Sequence, residues 1–131
     1  MITVTHTNIL YDEELRLRES AGGIIRVNVE GHALFGDDRP GGTETGKGEN
    51  IVCAAVSFSA LNLVKSITMI AGIRPEYTVR EGFLDLGINI KELDEEKNKT
   101  IRVLLESFII GILDMQGAYP DLIAVRFKTE N

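Results

Sequence analysis

Cys53, the single cysteine of this 131-residue chain, is the residue best suited to covalent chemistry. It lies in the segment ENIVCAAVS, and an apolar setting of this kind is typical of a small buried hydrophobe. A second interpretation follows from its position, because Asn50 is a predicted N-cap directly before a long apolar helix. Cys53 would then lie in the first helical turn, where unpaired backbone N–H groups and the helix dipole favour a thiolate.

His32 is the residue that could activate this thiol. It follows a predicted strand in phase with the polar face, where a histidine is usually only solvated. Residues 36–50, GDDRPGGTETGKGEN, contain five glycines and no apolar side chain, which predicts a mobile surface loop between His32 and Cys53. Closure of that loop would let a neutral imidazole take the thiol proton and later return it to a leaving amine. The two residues therefore form a predicted Cys/His dyad.

Hydrophobic periodicity predicts the elements that position this dyad. A period of two indicates strands over 2–6, 25–29, 77–79, 84–90 and 121–128, with residues 14–18 as an extension of the first strand into a hairpin. His6 shares the apolar phase of the first strand, so we assign it to packing. Helical periodicity indicates helices over 51–71, ended by Gly72, and over 98–116, ended by Gly117. This order predicts an α+β fold, in which a mixed β-sheet carries two helices packed on one face, as a single domain over residues 1–131.

Composition and charge exclude several classes of function. The 14 Lys and Arg against 20 Asp and Glu give a net charge of −6, which opposes direct nucleic acid binding. One Cys and two His are too few for a closed structural zinc site, so we expect no metal and no cofactor. No run of 18 uninterrupted apolar residues and no secretory signal is present, so we expect no membrane span and a cytoplasmic location.

Two segments resemble the signatures of the ribosomal-processing cysteine protease family Prp. They are VNVEGHALFG and, after the loop, ENIVCAAVS; the C-terminal segment LLESFIIGILDMQGAYPDLIAVRF is also similar to the family pattern. The resemblance implies a small dimeric cysteine endopeptidase of the bacterial cytoplasm, with His32 as base and Cys53 as nucleophile. It also implies a substrate, the N-terminal extension of large-subunit ribosomal protein L27, cut after an aromatic residue.

The same resemblance suggests supporting residues and shows two departures. Gly31 belongs to the GHA signature, and Ser57 corresponds to a family serine one turn after the cysteine, although a helix hydroxyl often bonds only to the preceding turn. Asn50 stands where the family usually has an acidic residue, and the loop before it is longer than is typical. An asparagine can still orient an imidazole, but it cannot supply charge. Three acidic residues lie near enough in sequence to supply it: Asp37, Asp38 and Glu49.

Peptide hydrolysis through an acyl-enzyme is the leading function, with backbone N–H groups at the start of the first helix as the expected oxyanion hole. The alternative is a non-catalytic dimeric module that binds peptides or acts as a ribosome-associated adaptor. A thiol-redox function is weaker, because the chain has no CxxC pair. We expect a homodimer, since both helices are apolar on nearly every side, and we expect the acidic loop to act as a lid that favours basic substrate segments.

Overall fold

The computed structural model describes residues 1–18, 23–31 and 47–130, with the side chains of residues 47–50 not included. The described part contains five strands, two α-helices and one turn of 3-10 helix, Ile90–Glu92. The strands are β1 (Ile2–Thr7), β2 (Ile24–Glu30), β3 (Glu76–Arg80), β4 (Phe83–Asn89) and β5 (Ile123–Lys128). The helices are α1 (Lys47–Met69), between β2 and β3, and α2 (Glu95–Ala118), between β4 and β5.

The five strands form one mixed sheet in the order β3-β4-β2-β1-β5. Only the β1–β5 pair is parallel; the other three pairs are antiparallel. Every second residue of the central strands is buried, as Val4, Val27 and Leu86 illustrate, so the period of two in the sequence corresponds to one covered face. The predicted mixed sheet is confirmed.

Both helices cover the same face of this sheet. Ala60 and Ile67 of α1 and Ile101 and Leu105 of α2 belong to one core cluster with the buried strand residues. The opposite face is polar and includes a 2.7 Å ion pair between Arg26 on β2 and Asp85 on β4. The predicted α+β arrangement, with two helices on one face, is therefore confirmed.

The start of α1 differs from the prediction. The helix begins at Lys47, so Asn50 lies inside it and is not its N-cap. Extension is favourable because each residue added to a formed helix gains one backbone hydrogen bond for one residue ordered. The predicted loop over 36–50 therefore ends before Lys47, and the rest of it, residues 36–46, lies outside the described residues. At the other end the helix stops at Met69, two residues before the predicted end, and the predicted stop residue Gly72 has a φ of +69°.

The bounds of α2 also differ from the prediction. Asp94 is the N-cap, and its side chain accepts a hydrogen bond of 2.8 Å from the backbone N–H of Lys97. The helix therefore starts three residues before the predicted Asn98, in a charged turn that apolar periodicity does not mark. Gly117 is helical instead of capping the helix, and Tyr119 is the C-cap. The predicted strand extension over 14–18 is likewise wrong: only a single bridge joins Tyr11 to Leu17.

Within α1, the window Ile51–Met69 is long and apolar enough to cross a membrane by length and composition alone. That helix contributes Val56, Ala60 and Ile67 to the core beneath α2 and the sheet. A core helix of a globular domain passes the same test, and this packing accounts for the buried part of the window, 39% of it.

Candidate active site

Cys53 lies on the buried side of α1, in its second turn. The cysteine is 6% exposed and shares the core cluster with Val52 and Val56. Half-buried Ser57 lies one turn further along, on the same side of the helix. The two residues that the sequence placed on one helix face therefore do lie together, and core packing fixes the helix that carries them.

The electrostatic reason given for a thiolate at Cys53 needs correction. A helix leaves its first four N–H groups without intrahelical partners, and the dipole effect is confined to the first turn. In α1 those four groups belong to Lys47–Asn50, so the Cys53 amide lies beyond them. For the same reason, the unpaired N–H groups expected to form the oxyanion hole lie earlier in the chain than a helix start at Asn50 predicts. The helix terminus therefore gives no reason to expect a thiolate at Cys53, and the predicted role of His32 does not depend on it.

Gly31, the first residue of the GHA signature, is held at the end of β2. Its backbone N–H donates a hydrogen bond of 3.0 Å to the carbonyl oxygen of Gly82, in the turn between β3 and β4. Gly82 has a φ of +77°, and a Cβ there would lie 3.2 Å from the Gly31 oxygen. Both constraints favour glycine at position 82 and bring this turn against the backbone that leads into His32.

The remaining predicted site residues fall outside what the structure shows. His32, Asp37 and Asp38 lie outside the described residues, and Asn50 and Glu49 are described only as helical backbone. The pairing of His32 with Cys53 stays a prediction, as does the lid. Within residues 1–18, 23–31 and 51–130, no cluster of three His, Cys, Asp or Glu side chains could hold a metal ion.

His6 occupies an aromatic cluster of the core. It is fully buried, stacks on Phe127 at 5.2 Å between ring centroids, and meets the ring of Tyr11 edge-on at 5.7 Å. Within the described part of the chain, neither ring nitrogen has a hydrogen-bond partner of ordinary geometry. Burial lowers the pKa of His6 to about 4, and the nearby backbone of Arg126, the smaller of the two effects, acts in the opposite direction. His6 is thus a neutral packing residue, as its strand phase predicts.

Tyr11 connects this cluster to α2. Its hydroxyl donates a hydrogen bond of 3.3 Å to the carbonyl oxygen of Leu105. Burial raises the pKa of Tyr11, and the negative charge of Glu106 raises it further. The Glu106 carboxylate also accepts a 3.0 Å hydrogen bond from the backbone N–H of Leu17, which ties the segment after β1 to the same helix. The sequence does not indicate this link, because it joins residues far apart in the chain.

The outer side of the helix pair is apolar and exposed. We call it the helix face, and it comprises Ile51, Phe58 and Leu61 of α1 with Val103 and Ile110 of α2. Phe58 is 71% exposed, an unusual state for so large a side chain. Between the helices runs a groove with a mixed lining. Its small and polar residues are Ser59, Asn62, Ser66, Ser107 and Gly111, and its apolar residues are Phe58, Leu63, Leu104 and Phe108.

Comparison with known proteins adds to this description. The family model for cysteine protease Prp matches residues 14–124. The ribosomal processing cysteine protease Prp of Bacillus subtilis (strain 168) is 25% identical over 104 residues, covering 79% of this chain and 85% of that protein. The crystal structure of SMU.848 from Streptococcus mutans is similar, with a TM-score of 0.66 and 24% identity. The comparison covers 99% of this chain and 96% of the SMU.848 chain.

The Staphylococcus aureus ribosomal processing protease Prp is similar in two crystal structures. Its complex with a substrate peptide has a TM-score of 0.64 and 18% identity, and its complex with a covalently linked product peptide has a TM-score of 0.63 and 19% identity. Each comparison covers 98% of this chain and 100% of the other. At these identities the structures show a shared fold.

Proposed function

This chain belongs to the cysteine protease Prp family, whose members are ribosomal processing proteases, and we propose that it removes the N-terminal extension of large-subunit ribosomal protein L27. The observation that carries the proposal is the place of Cys53, the signature cysteine, on a helix fixed by the core beside Ser57. The Staphylococcus aureus relative, which has the same fold, was solved with a covalently linked product peptide, and the acyl-enzyme that we propose here is also a covalent intermediate.

In the proposed reaction, His32 takes the proton from the Cys53 thiol, and the thiolate attacks the carbonyl carbon of the scissile peptide bond. The C–N bond breaks, the amine leaves with the proton from the imidazolium, and an acyl-enzyme remains on the sulfur. Water then hydrolyses the thioester, with His32 as base once more. The reaction consumes one water, is redox-neutral and needs no cofactor.

Core packing supplies the positioning that this reaction needs. Val52 and Val56 flank Cys53 along α1 and are themselves fully buried, so the helix cannot rotate without exposing apolar surface. A nucleophile on such a helix is held in one place before substrate arrives, which lowers the entropic cost of attack. His32 follows Gly31, whose hydrogen bond to Gly82 fixes the point where the chain leaves the sheet.

Incubation with peptides that span the L27 N-terminus, followed by mass spectrometry, tests the assignment. The Cys53→Ala protein should lose cleavage and keep its melting temperature within a few degrees, because the change removes one sulfur atom from a helix position that alanine suits. Ser59→Ala, which removes a hydroxyl from the same helix outside the signature, serves as the control and should cut normally. Cleavage by pure Cys53→Ala protein would exclude Cys53 as the nucleophile.

The His32 role has its own test in the rate at which iodoacetamide alkylates Cys53. Without the imidazole the thiol loses its proton acceptor, so the His32→Ala protein should react more slowly and show a shifted pH profile. Equal rates for the two proteins from pH 5 to pH 9 would break the proposed dyad.

The non-catalytic alternative has one observation in its favour: Cys53 is buried and lies beyond the first helical turn. A peptide-binding or ribosome-associated adaptor would bind the L27 segment without cutting it. The mass-spectrometry experiment separates the two functions, because the alternative predicts an intact peptide that still co-purifies with the protein.

We also propose that the chain acts in the cytoplasm as a homodimer that pairs two copies of the helix face. Both adjacent helices carry exposed apolar side chains, and a second copy packed over them would remove this apolar surface from water. Phe58→Asp should shift sedimentation at micromolar concentration to the monomer, because it buries a charge at the centre of the patch. Met69→Asp, at the C-terminal end of α1, outside the helix face and also exposed, is the matched control. A Phe58→Asp dimer would exclude this surface.

A further inference from the structure

The strand β3 is an open edge of the sheet. It pairs with β4 on one side and, among the described residues, has no strand on its other side. All five of its residues are exposed, including Tyr77 at 57% and Val79 at 37%. Natural edge strands are usually protected by charges, bulges or a covering loop. An open edge with two large apolar side chains is therefore a candidate site for pairing with a strand of another chain.

The register shows which backbone groups of β3 point outward. The two-residue turn Glu81–Gly82 makes Arg80 and Phe83 a hydrogen-bonded pair, and Thr78 pairs with Asp85 in the same way. The intervening residues, Tyr77 and Val79, therefore direct their backbone N–H and C=O groups away from β4. Their side chains lie on the helix side of the sheet, since they stand opposite the buried Leu86 and Leu84.

The open edge runs toward the proposed active site. Its last residue, Arg80, enters the Glu81–Gly82 turn, and the Gly82 carbonyl accepts the hydrogen bond from Gly31. Gly31 is the residue directly before His32. A chain that pairs with β3 therefore leads to the end of the sheet at which the proposed base leaves β2.

We propose that β3 binds the substrate by strand addition: a segment of the peptide distant from the scissile bond pairs with the outward groups of Tyr77 and Val79. This inference rests on the proposed function, and it adds a docking site to it. The chemistry recognised is an extended backbone with apolar side chains at alternate positions, which lie beside the Tyr77 and Val79 side chains.

Strand spacing gives the distance between the docked segment and β2. An added strand would be the third neighbour of β2 across β4 and β3, so it lies about 14 Å from β2 at roughly 4.8 Å per strand. An extended chain covers about 3.3 Å per residue, so about four residues span the distance from the docked segment to β2, the strand that the proposed base follows in sequence. Peptides with fewer than about four residues between the docked segment and the scissile bond should lose the binding energy that β3 contributes.

Binding to the uncleaving Cys53→Ala protein is the test, measured by fluorescence anisotropy of a labelled peptide that spans the L27 extension. Adding Val79→Pro removes one outward N–H without breaking the β3–β4 ladder, and should weaken binding about fivefold, the value of one hydrogen bond. Val79→Thr keeps that N–H and the branched side chain, and is the control expected to stay within about twofold. Equal affinities for the Pro and Thr variants overturn the proposal.

A second measurement leaves the protein unchanged and so is independent of folding. Peptides N-methylated at one backbone position each should bind weakly at every second position of the docked segment and normally at the positions between, because only alternate N–H groups face β3. A uniform effect, no effect, or no binding of the parent peptide overturns the proposal. So does Val79→Pro protein that turns monomeric while its peptide affinity stays unchanged, because β3 would then contact a second copy.

These outcomes separate the docking site from the proposed reaction. Alternating methylation effects without cleavage by the wild-type protein would reject the protease function and retain strand addition. Normal cleavage without alternating methylation effects would reject strand addition and retain the protease function.

Discussion

Acid should destabilise this fold through one buried imidazole, and His6→Leu should remove that sensitivity. His6 is fully buried among aromatic rings, and its pKa is lowered to about 4 from an ordinary value of 6.5. The folded state therefore holds His6 neutral while the unfolded chain protonates it below about pH 6.5. Between these two values the unfolded state binds more protons, so stability falls as the pH falls and this contribution levels off below about pH 4.

The size of the effect follows from the same two values. Each unit of pKa difference is worth about 1.4 kcal/mol, so the full loss is about 3 kcal/mol. Integrating from pH 7 to pH 5 gives a loss of about 2 kcal/mol from His6 alone. A domain of this size is typically stable by about 5–15 kcal/mol, so the loss is a large share of the total.

Urea unfolding at pH 7 and pH 5 measures this directly. The wild-type protein should lose about 2 kcal/mol more of its unfolding free energy between these conditions than His6→Leu does, because the titrating carboxylates are common to both. Thr5→Val, on the opposite face of the same strand, is the control and should keep the wild-type pH dependence. If His6→Leu and the wild-type protein lose the same free energy, His6 is not the buried neutral group described above.

Two further predictions concern the ends of elements. Asp94→Ala should lower the unfolding free energy by about 1 kcal/mol in urea titration, because it removes the side chain that caps α2 at Lys97; an unchanged midpoint would exclude that cap. Gly82→Ala should cost about 1–2 kcal/mol, since it strains a φ of +77° and brings a methyl group to 3.2 Å from the Gly31 oxygen, whereas Gly117→Ala in α2 should stabilise slightly. Equal effects of the two glycine changes would refute the strain.

The strands were predictable because their pattern is local. Alternation in β1, β2 and β4 follows directly from one covered and one solvated sheet face, and Gly72 and Gly82 mark real chain reversals with positive φ. The helix starts were not predictable, because apolar periodicity reflects only the residues on the buried side of a helix. At α2 the first turn is charged and held by the Asp94 cap, so a search for apolar spacing begins three residues late.

For the site, sequence patterns predicted the protein family but not the geometry of the residues. The GHA and IVCAAVS segments indicated the Prp family, and the family match over residues 14–124 confirms it. The supposed N-cap at Asn50 was wrong, because nothing in the pattern of Lys47–Asn50 shows whether a helix has already begun. The Gly31–Gly82 hydrogen bond joins residues about fifty positions apart, and single-sequence periodicity carries no information about such a contact.

The parallel pairing of β1 with β5 affects when this protein can fold during synthesis. The first strand stands between β2 and the last strand, so the sheet is complete only when residues 123–128 have been made. Until then β1 is a bare edge, and His6 lacks Phe127, the ring stacked upon it. A nascent chain that stops short of β5 can form the hairpins and both helices but not the closed core. Completion of the fold therefore waits until residues 123–128 have been made, and the pairing of β1 with β5 carries the entropic cost of closing a long loop.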